Sequence, residues 1–211
     1  MNTKEELTPS INLDTSEEDT FKKYKIAFSG PGGSGKTTLA IMLSEKLNLT
    51  FLPSSIRKMT SILGFSDLKI CPEKRALLQG AALQYHKSNE SQHYFSGFVT
   101  DRSPIDFCAY YNAILQNKED FSGLSESYKR LALYRSVDYD FMFYISPFSE
   151  KMPEDGFRYS GDMAWIEKYV CEKLPDLVKE HYPNAYFVKK QSIEERLDEI
   201  IGVINSSEKG Q

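Results

Sequence analysis

Tyr24 to Leu47 read YKIAFSGPGGSGKTTLAIMLSEKL. Tyr24–Ser29 is a short β-type run that stops at a glycine, and the segment after it carries Leu39, Leu43 and Leu47 in one helical row. Between them, Gly30 to Thr37 fit Gly-x-x-x-x-Gly-Lys-Ser/Thr in full, placed after a strand and before a helix as that loop requires. Gly30, Gly32, Gly33 and Gly35 let backbone N–H groups, with that of Ser34, wrap a phosphate without Cβ clashes. The helix N-terminus adds a field that favours anions. Lys36 is placed to reach the β- and γ-phosphates, the Thr37 hydroxyl to ligate Mg²⁺, and Thr38 to lie near the α-phosphate. The expected cofactors are therefore ATP and Mg²⁺. ATP is the default donor because no Asn-Lys-x-Asp signal for guanine occurs, and adenine contacts are expected around residues 189–195.

Further along, apolar runs alternate with helical spacing. Thr50–Pro53 suits a short strand. Pro72 suits the first turn of a helix running to about Glu90, with Ala76, Leu77, Gly80, Ala81 and Leu83 as its expected packed face. Phe98–Thr100, Phe141–Ile145 and Ala185–Val188 read as strands, and the middle one is almost wholly apolar, as a strand buried on both faces should be. Ser192 and Glu195 form a capping box for a last helix. This order predicts an α/β domain with a parallel sheet covered on both faces, over residues 23–205. Residues 1–22 form an acidic tail too poor in apolar groups to offset its ordering entropy, and 206–211 a short C-terminal tail. Residues 147–162, PFSEKMPEDGFRYSGD, interrupt the alternation with Pro, Gly and charges of both signs.

A chain of 211 residues has room for one such core. Its net charge of −4 disfavours a protein that coats nucleic acid, since phosphate-backbone binders carry a basic excess. Cys71, Cys108 and Cys171 stand far apart and suit reduced thiols, while His86, His93 and His181 lack the close pairing of zinc ligands. No apolar run approaches the ~20 residues needed to span a bilayer, and the polar N-terminus is unlike a signal peptide. The expected location is cytoplasmic, that of a host cell if a phage encodes the chain.

GFVTDRSPIDFCAYY, residues 97–111, adds the second site segment. Asp101 and Arg102 sit where a strand ends and a helix begins. Alone they read equally as an ion pair at a turn. In a parallel sheet, however, ligands lie beyond the carboxyl ends of the strands. If the strands of Gly30 and Asp101 are neighbours, Asp101 comes close to the phosphates. There it holds Mg²⁺ or takes a proton from an attacking hydroxyl. Arg102 would bridge donor and acceptor phosphate oxygens through its planar guanidinium. Ser103, Pro104 and Asp106 read as N-cap, N1 and box partner, with Asp106 as a cap rather than a substrate ligand. Ile105, Cys108 and Leu115 mark a buried face.

With GPGGSGKTT at 30–38, GFVTDRSPIDFCAYY at 97–111 and PEDGFR at 153–158, the chain resembles small P-loop kinases. It is similar to thymidylate and deoxynucleoside kinases, whose third strand ends in an acid–Arg pair. It is more similar still to phage and bacterial AAA-type ATP-binding proteins related to nicotinamide riboside kinases. That group pairs D-R-x-x-x-D-x-x-A-Y, here Asp101, Arg102, Asp106, Ala109 and Tyr110, with D-G-x-R, here Asp155, Gly156 and Arg158. The resemblance implies a P-loop NTPase fold with a five-stranded parallel sheet and a small lid at about 147–162. Arg158, with Lys151 as a second lid cation, would then give positive charge to the transferring group. One departure stands out. Deoxynucleoside kinases carry a general-base acid near the end of the second strand, where this chain has Pro53-Ser54-Ser55-Ile56-Arg57 and no acid before Asp67. Either Asp101 takes that role, or the acceptor is already anionic and Arg57 holds its phosphate. Arg75, Gln79 and Gln84 lie on the helix that lines the acceptor site in related kinases. Tyr85, Phe95, Phe107 and Tyr110 serve either the core or base stacking.

The reading that follows is an ATP-dependent phosphotransferase acting on a nucleoside, a nucleotide (including a modified deoxynucleotide) or a related small molecule. Its alternatives are a nucleotide-dependent ATPase or switch module, and a kinase of polynucleotide ends or hydroxymethylated bases in DNA. The DNA alternative needs a basic groove from Arg57, Lys58, Lys69, Lys74 and Arg75. A small-molecule acceptor is the expected partner, nucleic acid is not favoured, no membrane contact is expected, and a homodimer is an allowed assembly.

Overall fold

The structure, a computed structural model, describes residues 23–65, 71–116, 119, 121–134, 136–148 and 164–208. The acidic segment 1–22, Asp67, Lys69 and the greater part of the expected lid, with Lys151, Asp155 and Arg158, lie outside the described residues. Five strands form one parallel sheet: β1 (Lys25–Ser29), β2 (Thr50–Leu52), β3 (Phe98–Thr100), β4 (Phe141–Ile145) and β5 (Tyr186–Val188). Their spatial order is β2-β3-β1-β4-β5. β1 is therefore central, and Ala27 pairs with Thr100 while Ser29 pairs with Tyr144. The connections are helical: α1 (Lys36–Leu47), α2 (Ser55–Ile62), α3 (Pro72–Gln92), α4 (Pro104–Leu115), α5 (Phe121–Leu133), α6 (Ala164–His181) and α7 (Ile193–Glu208).

Alternating side chains feed two cores, because successive residues of a strand point to opposite faces. Ile26, Phe28, Phe143 and Ile145 pack against Leu39 and Leu43 of α1 and Leu197, Ile200 and Ile204 of α7. Ala27, Met142 and Tyr144 pack on the other face with Leu78, Ile105, Cys108, Val170 and Leu174, from α3, α4 and α6. Helix α4 is buried along most of its length, which matches its apolar sequence. This is the parallel, doubly covered sheet expected from the alternation.

Two helices arise where the sequence analysis assigned no element, and one packed face differs from its expected position. α5 and α6 are full helices despite Gly123 in one and Pro175 inside the other, since packing overrides local propensity. The packed face of α3 is also rotated. Leu78, Gln79, Ala82, Leu83, His86 and Glu90 are buried, while Leu77 is 59% exposed. The cause is a buried polar group that α3 presents to the core. Glu90 is fully buried and accepts from the Tyr139 hydroxyl at 2.6 Å. His86 Nε2 lies 3.0 Å from the same Glu90 oxygen, without hydrogen-bond geometry. A buried acid persists only with such partners. Glu90→Ala is expected to cost about 3 kcal/mol of stability by removing the acceptor of the buried Tyr139 hydroxyl and the carboxylate beside His86, as read by urea denaturation. A loss under about 0.5 kcal/mol, the level of an ordinary surface substitution, would refute this assignment.

Candidate active site

The loop after β1 owes its path to glycine at two places. Gly30 has φ +148°, and a Cβ there would stand 2.3 Å from the Ile145 carbonyl oxygen, so the loop crosses the end of β4 at backbone contact. Gly35 caps α1 with φ +86°, and a Cβ there would meet Ile193 at 2.8 Å and Phe148 at 3.0 Å. Both positions are closed to other residues by conformation and by space. The loop is also tied down from outside. Asp106 Oδ1 accepts from the Gly30 N–H at 3.1 Å. Arg196 of α7, fully buried, donates to the Ser34 carbonyl at 2.7 Å and to that of Lys190 at 2.8 Å, with Phe148 over its guanidinium at 4.3 Å.

Within this frame Lys36 is 6% exposed. Its ammonium donates to the Pro31 carbonyl at 2.6 Å and to Ser34 Oγ at 3.2 Å. Burial, then the charge of Arg102, pulls its pKa down to about 8, against the opposing fields of Asp106, Asp101 and Glu167. A lysine held this way is desolvated and aimed, ready for an anion that restores its full charge.

Because β3 lies beside β1, Asp101 emerges next to the loop. The Thr37 hydroxyl donates to Asp101 Oδ2 at 2.7 Å. Asp101 Oδ1 is buried with no hydrogen-bond partner among the described residues. A hydroxyl and a carboxylate in contact, one oxygen still unsatisfied, are hard oxygen ligands that fit Mg²⁺. Arg102 donates through Nε to Ser54 Oγ at 3.2 Å and lies over the Tyr110 ring at 4.8 Å. Burial opposes its charge, but the Asp106 and Asp101 carboxylates beside it favour the charged form, and the guanidinium stays protonated.

One cavity of about 350 Å³ joins these parts. Gly32, Gly33, Ser34, Gly35, Lys36, Thr37 and Thr38 line one end, and Pro53, Ser54, Ile56, Arg57, Asp101 and Arg102 the other. Three residues expected near the acceptor do not line it. Gln79 is buried against α5, its carbonyl accepting from Tyr128 at 2.9 Å. Gln84 is exposed to solvent, and Arg75 is half-buried on α3 away from the cavity lining. The rotation of α3 accounts for the burial of Gln79. Asp106 is more than the expected cap: Oδ2 accepts from the Ser103 N–H at 2.9 Å and hydroxyl at 2.8 Å, while Oδ1 holds Gly30.

One polar group, Glu167, has no counterpart in the sequence reading, and Tyr110 meets it. The Gly32 N–H donates to the Tyr110 hydroxyl at 3.0 Å and to Glu167 Oε2 at 3.2 Å, and Tyr110 donates to Glu167 Oε2 at 2.9 Å. Tyr110 serves neither the core alone nor base stacking here, since its hydroxyl bonds Glu167. Its ring is buried, while burial and then Glu167 push its pKa well above the ordinary value, so it stays a hydroxyl donor. Glu167 carried no local signal beyond its place in the first turn of α6.

A family model described as AAA domain matches residues 25–196. Among solved structures, deoxyadenosine kinase from M. mycoides with bound dATP superimposes with a TM-score of 0.66 at 14% identity, covering 86% of this chain and 99% of that one. Thymidylate kinase from Ehrlichia chaffeensis gives 0.61 at 19% identity over 86% and 98%. The NadR protein in complex with NR gives 0.58 at 19% identity, over 82% of this chain and 47% of that one. No curated protein matches by sequence. The likeness is one of fold, and it is the fold of P-loop kinases that the motifs implied.

Proposed function

We propose that this chain, which belongs to the AAA domain family, is a P-loop phosphotransferase that moves the γ-phosphoryl group of ATP to a nucleoside or nucleotide. The observation that carries this reading is the shape of the cavity. Its lining has the glycine loop Gly32–Thr38 at one end and a second polar end at Ser54, Arg57 and Arg102. A hydrolytic switch has no need for a second end that admits an organic acceptor. The solved relatives that share the fold are described as deoxyadenosine and thymidylate kinases.

In this reading the loop amides from Gly33 to Lys36 bind the donor phosphates, and the Lys36 ammonium follows the charge that gathers on the γ-phosphoryl oxygens. Thr37 and Asp101 hold Mg²⁺, which when bound neutralises part of the phosphate charge. Arg102, fixed by Ser54 and the Tyr110 ring, orients the acceptor end. Ser103 and Asp106 keep the Arg102 turn and the Gly30 turn in register. Arg57 lines the acceptor end as an exposed cation.

The test is a transfer screen with γ-labelled ATP and Mg²⁺ against nucleosides, nucleoside monophosphates, nicotinamide riboside and DNA oligomers with plain or hydroxymethylated bases. Label in a small nucleoside or nucleotide is the expected result. Label in DNA alone would favour the polynucleotide alternative, and release of free phosphate with every acceptor unlabelled would favour the switch alternative.

A further inference from the structure

Transfer to a neutral hydroxyl needs a carboxylate that is free to take a proton and lies beside the γ-phosphoryl position. The end of β2 offers none, being Pro53-Ser54-Ser55. Asp101 is the sole acid lining the cavity among the described residues, and its Oδ2 is engaged by Thr37 while Oδ1 is buried. Asp106 is fully buried, with Oδ1 on Gly30 and Oδ2 on Ser103. Asp106 has both oxygens bonded, and the unpartnered Oδ1 of Asp101 is the oxygen that the proposed function gives to Mg²⁺, so neither is left for a substrate proton.

Glu167 is placed differently. Its carboxylate is seated over Gly32, where a Cβ would stand 2.9 Å from Oε1, and Gly32 lines the cavity. The residue is half-buried, so solvent still reaches it. Its position is set by two donors: Tyr110 at 2.9 Å and the Gly32 amide at 3.2 Å, both on Oε2. Oε1 has only a 3.2 Å contact with the same Tyr110 hydroxyl. A carboxylate has about four lone-pair sites, so acceptor capacity remains. Contacts then run unbroken from the acceptor end to the phosphate loop: Ser54 to Arg102, Arg102 to the Tyr110 ring, Tyr110 to Glu167, Glu167 to Gly32.

We propose that Glu167 is the general base of the reaction and that the acceptor is therefore a neutral alcohol, the hydroxyl of a nucleoside, rather than a nucleoside monophosphate. This rests on the phosphotransferase reading. In the step, the acceptor O–H bond breaks and its proton passes to Glu167. The acceptor oxygen forms a bond to the γ-phosphorus, and the bond from that phosphorus to the bridging oxygen breaks, releasing ADP with the electron pair. Glu167 then returns the proton to solvent. Tyr110 is a positioning residue that fixes the carboxylate.

The experiment compares wild type, Glu167→Gln and Tyr110→Phe for nucleoside and monophosphate phosphorylation, for ATP dissociation constant by equilibrium titration, and for thermal midpoint. Wild type should phosphorylate nucleosides in preference to monophosphates. Glu167→Gln should lower kcat for the nucleoside by about 100-fold, with ATP affinity within about threefold of wild type. Tyr110→Phe, which keeps the carboxylate, should lose less. Glu167→Asp serves as second variant should the glutamine form be unstable, with a loss between the two. A kcat within about threefold of wild type in Glu167→Gln would overturn the proposal and leave the phosphotransferase reading intact. A loss of ATP affinity as large as the loss of kcat would also overturn it, by showing Glu167 to be a prop for Gly32. Preference for monophosphates would overturn the acceptor class, and wild type that labels no acceptor would overturn both readings together.

Discussion

Lys36→Met is expected to abolish phosphoryl transfer, by roughly 10³-fold or more, while leaving the folded protein at least as stable as wild type. The rate loss follows from removing a fixed cation at the point where charge gathers in the transition state. The stability result follows from where that cation sits. Lys36 is 6% exposed, and its pKa falls from 10.5 to about 8 through burial and the charge of Arg102. At about 1.4 kcal/mol for each tenfold change in proton affinity, this amounts to about 3 kcal/mol against the charged form. Methionine removes that cost, at the loss of the bonds to Pro31 and Ser34. The pH dependence has a definite sign. Between pH about 8 and 10.5 the unfolded chain carries a proton on Lys36 that the folded chain has shed. Stability of the wild type therefore rises with pH across that window. The gain of Lys36→Met over wild type should be largest below pH 8 and fade toward pH 10.5. Urea denaturation of both proteins at pH 7 and pH 10 reads it. A methionine variant less stable by more than about 1 kcal/mol at pH 7 would contradict the electrostatic picture.

Asp101→Asn should lower turnover by roughly 10²–10³-fold, the scale for one misplaced electrostatic group in an active site, with ATP affinity within a few-fold of wild type. The carboxylate fixes the Thr37 hydroxyl at 2.7 Å and keeps a second, unsatisfied oxygen for Mg²⁺. An amide halves the acceptor capacity and removes the charge. A second consequence concerns Lys36. Asp101 is one of the carboxylates that raise the Lys36 pKa. Its loss should move the alkaline fall in activity to lower pH. Turnover and ATP titration across pH 6 to 9 test both effects. Turnover within about threefold of wild type would remove Asp101 from the site.

The parts of the site that were legible in the sequence are those whose chemistry is local. A phosphate loop demands glycines, a lysine and a hydroxyl at fixed spacing, so eight successive residues declare it. The Asp101–Arg102 turn is legible on the condition that β1 and β3 are neighbours, and the sheet order meets that condition. The Tyr110–Glu167 pair had no such signal. The two residues stand 57 positions apart and meet because α4 and α6 cover the same face of the sheet. The misplacement of Gln79 has a similar origin. Which face of α3 turns inward depends on Tyr139, 49 positions from Glu90, and on Tyr128 of α5, neither visible in the spacing of α3 itself. The same holds for α5 and α6, whose Gly123 and Pro175 weaken the local helical signal. Cys108 is the core thiol its apolar helix implied, and burial pushes its pKa up to about 12.

The central claim is that the cavity transfers a phosphoryl group rather than merely hydrolysing ATP. A single-turnover measurement with γ-labelled ATP, Mg²⁺ and a nucleoside mixture, run beside Lys36→Met, tests it most directly by dividing the label between organic acceptor and inorganic phosphate. The account predicts that wild type places most of the label on a nucleoside and that Lys36→Met places label on neither. Label found in inorganic phosphate alone, at the same rate with and without nucleosides, would contradict it.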